Sequence, residues 1–150
     1  MRRSARKQAD PDLGILSSRL LFAVQKALYE GMAQERGKSI GPRHGAVLAH
    51  LDEDGSRATD LARLSGQHKQ VIGTLIDELE AAGYVRREPD PQDRRAKLIV
   101  PTALGLEKMR RSDEIVEALE QEYAKVLGAR NFATFKRLFR TITEAAEPAE

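Results

Sequence analysis

The 150-residue chain contains no cysteine. That absence excludes a disulfide framework, a thiolate zinc site and any cysteine-based redox switch, and it fits a reducing cytoplasm. Long apolar runs are missing too. The opening Met1-Arg2-Arg3-Ser4-Ala5-Arg6-Lys7 is basic but does not lead into the apolar stretch of a signal peptide, and no later segment is apolar for long enough to span a bilayer. A cytoplasmic protein with no membrane partner is the expectation. Enzyme signatures are equally scarce: no nucleophile, base and orienting group occur in a recognisable arrangement, so no catalytic residue is assigned. His44, His50 and His68 provide no i, i+4 ligand pair on a helix, so neither a metal nor a cofactor is expected.

What is present is charge. Charged residues make up 32% of the chain, with a formal net charge of +2 and a pI of about 9.0, a basic balance compatible with nucleic acid. The length suits one domain. Residues 1–10 carry Arg2, Arg3, Arg6 and Lys7 with little to bury and read as a flexible basic arm. Over 11–37, Leu13, Leu16, Leu20, Val24, Leu28 and Met32 recur at helical spacing up to Gly37, a natural stop. Leu21, Ala27 and Gly31 widen that stripe beyond what a single neighbour needs, so part of this helix is expected to pack on another chain.

Further along, Pro42 suits the start of a second helix with Val47, Leu48 and Leu51 inward, and Asp52-Glu53-Asp54-Gly55 forms the turn after it. Thr59 is expected to N-cap a short third helix that buries Leu61, Ala62 and Leu64 and ends at Ser65-Gly66. A fourth runs from Lys69 to Ala82, with Ile72, Leu75, Ile76 and Leu79 at i, i+3, i+4 and i+7 before Gly83. Two helices joined by a tight glycine turn form a helix-turn-helix. Strand-like runs at 84–88 and 97–100 then flank a long charged tip from Pro89 to Arg95. Thr102 caps a long fifth helix striped by Leu106, Met109, Val116, Leu119, Tyr123 and Leu127, which Gly128 breaks. A last helix carries Phe132, Phe135, Leu138, Phe139 and Ile142. The predicted fold is mostly α with a small β wing: a winged helix-turn-helix over 41–105 between long helices at 11–37 and 106–147.

The chemistry concentrates on two elements. Stepping about 100° per residue from the apolar side of the fourth helix places Gln70, Thr74 and Asp77 opposite it, with Gly73 on the flank. Glutamine can pair bidentately with adenine, Lys69 can meet a guanine edge or a phosphate, and Gly73 allows close approach to a duplex. Gln67 and His68 extend the set at the helix start. A solvated helix face would look similar, but this one follows a short helix and a tight turn, which favours base reading. At the hairpin tip, Arg94 or Arg95 fits a narrow, electronegative minor groove, with Asp93 orienting one of them. Arg86, Arg87 and Lys97 at the hairpin base suit phosphate contacts.

The run Asp90-Pro91-Gln92-Asp93-Arg94-Arg95-Ala96-Lys97-Leu98, followed by Thr102 and Gly105, resembles the wing signature of the MarR family. Asp60-Leu61-Ala62 through Leu75-Ile76-Asp77-Glu78-Leu79-Glu80 and Gly83-Tyr84-Val85 are similar to that family's reading head. Together these segments span about half the chain. The resemblance implies a transcription regulator, most simply a repressor, that binds a pseudo-palindromic site in double-stranded DNA. It implies a homodimer built from the 11–37 helix and the two C-terminal helices. It assigns the minor-groove role to Arg95, with Asp93 as buttress, and a pocket for a small aromatic effector beside Arg43 and His44. Thr74 stands where many members carry arginine, so no base preference is carried over there; His68 and Pro101 replace a usual Ser or Thr cap and a usual leucine. The alternative is a winged-helix protein-interaction module that binds no DNA.

Overall fold

The computed structural model of the protein describes residues 1–33 and 40–145. The chain order is α1 (Arg3–Ala9), α2 (Leu13–Gly31), a 3₁₀ turn (Pro42–His44), α3 (Gly45–Leu48), β1 (Ser56–Arg57), α4 (Ala58–Ser65), α5 (Lys69–Ala81), β2 (Val85–Asp90), β3 (Asp93–Pro101), α6 (Ala103–Leu127) and α7 (Ala129–Ala145). This is the expected winged helix, mostly α with a small sheet. Its core is built by the middle of the chain. Val47, Leu51, Leu61, Ala62, Ile72, Leu75, Ile76, Leu79, Tyr84, Val85 and Ile99 form one buried cluster, so the 3.6-residue period of α5 and the alternation of the strands meet in a single apolar centre.

The outer helices own no such centre. Neither α2 nor α7 contains a buried residue. Leu13, Leu16, Leu21, Phe22 and Tyr29 of α2 and Phe135, Leu138 and Ile142 of α7 are exposed. α2 and α7 each pack on α6. Phe135 and Phe139 stack with centroids 5.5 Å apart on α7.

Several boundaries differ from expectation, each for a local reason. Residues 3–9, expected as a loose arm, are helical: Ala, Arg, Lys and Gln are strong helix formers, and Lys7 is ion-paired to Asp12 at the start of α2. Asp12 is also the α2 cap, accepting from the Ile15 N–H at 3.0 Å. The Gly37 stop lies outside the described residues. Pro42 opens only a 3₁₀ turn leading into the single-turn α3, where a full helix was expected. Thr59 does not cap α4. Arg57 occupies that place without a side-chain cap, because Ser56 and Arg57 are drawn into a third strand, pairing with Ile99 and Leu98 of β3. The hairpin tip is short, not long. Both strands continue to Asp90 and Asp93, leaving Pro91 and Gln92 as the turn, with a bulge at Pro89 and Asp90. The three strands are antiparallel in the order β1-β3-β2.

The start of α6 is stapled to the end of the reading head. Thr102 caps α6 by accepting from the Gly105 N–H at 3.1 Å, while its hydroxyl donates to the Gly83 carbonyl at 2.6 Å and its N–H donates to the Tyr84 carbonyl at 3.0 Å. That crossing is closed tightly enough that a Cβ on Gly105 would overlap the Tyr84 carbonyl oxygen, a backbone atom that cannot rotate away. Gly105→Ala is therefore expected to lower the unfolding free energy by about 1–3 kcal/mol. Chemical denaturation reads this directly, and an unchanged midpoint would show that α6 can shift off the carbonyl without loss.

Candidate nucleic-acid interface

α4 ends on Gly66 at φ +67°, a left-handed conformation that glycine adopts without strain, and this bend turns the chain into α5. α5 buries Ile72, Leu75, Ile76 and Leu79. Gln67, His68, Lys69, Gln70 and Thr74 are consequently exposed along its outer side, with Gly73 half-buried beside them. His68 occupies the cap position but makes no side-chain cap bond, leaving its ring uncommitted to the helix. The Thr74 hydroxyl donates to the Gln70 carbonyl at 3.1 Å. Around Gly73, an added Cβ would meet no atom of the protein within 4 Å. Its lack of a side chain answers no need of internal packing, although glycine within a helix costs about 1 kcal/mol relative to alanine.

The wing stands beside this helix because arginines tie it there. Arg87, on β2, donates to Asp77 at 2.6 Å and to Glu80 at 2.6 Å, both on α5, and its backbone N–H adds a bond to Glu80 at 3.1 Å. Arg57 reaches across from β1 to the Asp90 carboxylate at 2.7 Å, and the other oxygen of that carboxylate accepts the Gln92 N–H at 2.9 Å. Asp90 is buried. The Gln92 N–H first and then the Arg57 guanidinium hold its carboxyl below the ordinary aspartate range, and Asp90 in turn raises the Arg57 pKa. The ion pair therefore persists through the neutral range.

Arg86 and Arg87, expected at phosphates, are both engaged within the protein. Arg86 donates to Glu88 at 2.6 Å, and Arg87 is the tie to α5 just described. Arg94, Arg95 and Lys97 are exposed on β3. Asp93, expected to orient an arginine side chain, accepts instead from the Arg95 backbone N–H at 3.0 Å, the local turn bond that aspartate favours two residues ahead of itself. Lys97 shares the sheet side of Ile99, whose cross-strand partner is Arg87, while Arg94, Arg95 and Ala96 lie in the irregular stretch of β3 between the Pro89–Lys97 and Asp90–Asp93 pairs. Both tip arginines are therefore exposed beside the turn, and strand alternation does not separate them.

A cavity of about 510 Å³ lies between α2, the segment from Ile40 to Ala49, and α6. Leu28, Met32, Tyr84, Met109 and Val116 supply apolar wall; Tyr29, His44, Lys108, Ser112 and Asp113 supply polar groups. Of the two residues expected there, His44 lines the cavity and Arg43 does not. Arg43 points instead to Glu78, donating to its two oxygens at 2.7 and 2.8 Å. Glu78 also binds His44, with Nε2 2.7 Å from the carboxylate and Nδ1 2.9 Å from the Gly41 N–H that donates to it. A carboxylate only accepts, so Nε2 carries the hydrogen. Since Glu78 belongs to α5, the buried histidine of the cavity is bonded to the helix that carries Gln70. Sequence patterning missed Glu78, Asp90 and Arg57; the one available signal was that Glu78 lies next to the core position Leu79. Among the described residues, no group of three or more His, Cys, Asp or Glu could hold a metal ion, and no helix is long and apolar enough to cross a membrane.

Comparison with known proteins agrees with this geometry. Residues 39–96 match a family model described as the MarR family. The transcriptional regulator HosA of Escherichia coli O111:H- is 25% identical over 104 residues, covering 69% of this chain and 77% of that protein. Among solved structures, CouR from Rhodococcus jostii RHA1 bound to p-coumaroyl-CoA superposes with a TM-score of 0.73 at 27% identity, covering 93% of this chain and 95% of that one. The transcriptional repressor CouR bound to a 23-mer DNA duplex superposes with a TM-score of 0.72 at 24% identity, covering 91% and 95%. With its two-helix reading head, three-stranded wing and long flanking helices matched nearly end to end by solved regulators, the chain has the fold of MarR-family transcriptional regulators and carries that family's sequence pattern over residues 39–96.

Proposed function

We propose that the protein is a homodimeric repressor that sets α5 into the major groove and the wing into the adjacent minor groove at each half of a pseudo-palindromic site in double-stranded DNA. The observation that carries this is the Arg87 tie to Asp77 and Glu80, which holds the ribbon that carries Arg95 against the helix that carries Gln70. On that surface Gln70 reads bases, Lys69, Gln67 and His68 meet base edges or phosphates at the helix start, and Arg95 enters the minor groove with Lys97 behind it. Arg94, beside it, takes a phosphate. The second copy covers the apolar side chains that α2 and α7 expose, as two-fold operator symmetry requires. CouR, solved on a DNA duplex, supports the same arrangement here.

A second role for the molecule rests on the cavity. Its volume of about 510 Å³ lies in the range of small-molecule sites, and His44 connects it through Glu78 to α5. A small aromatic effector seated there shifts α5 and releases DNA; CouR was solved with p-coumaroyl-CoA bound.

Selection of bound sequences from a random duplex pool tests the DNA reading, followed by affinity as a function of salt. Log affinity is expected to fall steeply with log salt, as several phosphate contacts demand, and Arg95→Ala is expected to cost about 1–3 kcal/mol of specific binding with the dimer intact. A protein-interaction module would select no duplex. Gly73→Ala separates fold from function: stability should rise by up to about 1 kcal/mol while DNA affinity drops, because the new methyl stands where the duplex must approach. Equal DNA affinity in that variant would remove Gly73 from the interface. For the effector, a panel of phenols and aromatic acids should contain a compound that raises Tm by preferential binding to the folded state and lowers DNA affinity. A panel that moves neither quantity sinks the effector reading and leaves DNA binding standing.

A further inference from the structure

Val71 is 42% exposed on α5, next to Gln70 and on the flank away from Gly73. A β-branched side chain loses rotamer freedom in a helix, and an exposed one recovers little of that by burial within the fold, so alanine would serve the helix better at this position. Thr74 stands one turn from Gln70 and from the same flank. Its hydroxyl hydrogen is spent on the Gln70 carbonyl at 3.1 Å, which leaves the γ-methyl as the main group it can offer outward. Beside the Gln70 amide, therefore, the outer side of α5 presents methyl groups within the roughly 6 Å that separates neighbouring side chains on a helix. On its other flank, Gly73 presents nothing. At the middle of this face the donor capacity is concentrated in one amide, beside a Thr74 oxygen left only as an acceptor and the methyl groups of Val71 and Thr74.

Major-groove chemistry has one match for that combination. Adenine offers the N7 acceptor and N6 donor that a glutamine amide pairs with, and thymine alone offers an apolar group, its C5-methyl. We infer that Val71, together with the methyl of Thr74, is a specificity-determining contact to the C5-methyl of a thymine adjacent to the adenine read by Gln70. The inference rests on the DNA reading proposed for α5. It makes the half-site A·T-rich at its centre and gives Thr74 a task that an arginine there could not perform.

The test uses the full chain and a duplex recovered from the random pool, with each thymine replaced singly by deoxyuridine, which removes only the methyl. At one thymine in each half-site, Kd should rise by about fourfold, the worth of one buried carbon. In Val71→Ala the same replacement should change Kd by less than about twofold, and thymine should lose its preference at that position when selection is repeated. Val71 lies outside the buried core cluster and alanine is the better helix former, so the Tm of Val71→Ala should stay close to or above that of the parent chain. A parent protein that binds thymine and deoxyuridine duplexes alike overturns the inference, as does a Val71→Ala variant that keeps the full difference; either result would class Val71 as an isolated surface valine. Recovery of no duplex at all would instead overturn the DNA reading and this contact with it.

Discussion

A two-stranded ribbon is marginal in water by itself, and the wing of this protein stands because the Asp90 carboxylate is held from two directions. Arg57 grips it from β1 and the Gln92 N–H closes on it from the turn. Everything that the wing displays depends on that point. β1 exists as a strand only by pairing Ser56 and Arg57 with β3, and its pairing fixes where α4 begins, hence where Gly66 bends the chain and where α5 emerges. Arg87 then locks the other strand to α5 through Asp77 and Glu80. Surface ion pairs taken singly contribute about 0–1 kcal/mol, so their value here is geometric. They add direction to the angle between helix and ribbon that Val85 and Ile99 already anchor in the apolar core.

How much of this was legible in the sequence follows from the range of each interaction. Apolar residues at helical spacing announced α5, because Ile72, Leu75, Ile76 and Leu79 are all buried by one partner surface. Thr102 announced the start of α6 because a cap bond closes within three residues. The wing was legible as a hairpin but not in extent. Asp93, Arg94 and Arg95 carry no strand-like pattern, and they are strand only because β3 runs on past Lys97 to the pair that Asp93 makes with Asp90 of β2. The two residues of β1 were invisible for the same reason, and Thr59 looked like the better cap until Arg57 was taken by the sheet. Arg86 and Arg87 show the limit most clearly. As neighbouring cations at a hairpin base they read as phosphate ligands, yet their acceptors, Glu88, Asp77 and Glu80, were in plain view and only folding could pair them.

The cavity extends the same logic from the wing to the body of the molecule. Its wall includes α2 and α6, and its buried histidine reaches α5 through Glu78. Glu78 is also claimed by Arg43. A group that disturbs the His44 ring therefore alters a carboxylate with two partners, and the helix bearing that carboxylate is the one that presents Gln70. Displacement of α5 by even a fraction of a side chain would change the register of its outer face on a duplex, since bidentate pairing tolerates little misplacement.

Ownership of the core decides how these parts must act together. The reading head buries its own apolar centre, while α2 and α7 bury no residue within one chain. α2 is nonetheless a wall of the cavity, so on the dimer reading the contact that orders α2 also shapes the place where an effector would sit. Apolar surface of the size exposed on α2 and α7 is stable in water chiefly when covered. Dimer contact, cavity shape and the angle of α5 are then terms in one free energy, and any ligand that prefers one cavity shape must shift DNA affinity by the same factor by which DNA shifts the ligand's own. The polar chain from cavity to helix gives that reciprocity a material path, through Gly41, His44 and Glu78. On the dimer reading, the apolar surface left open on the outer helices gives it a reason to be strong, because neither half of the mechanism would be fully assembled until the second copy is in place.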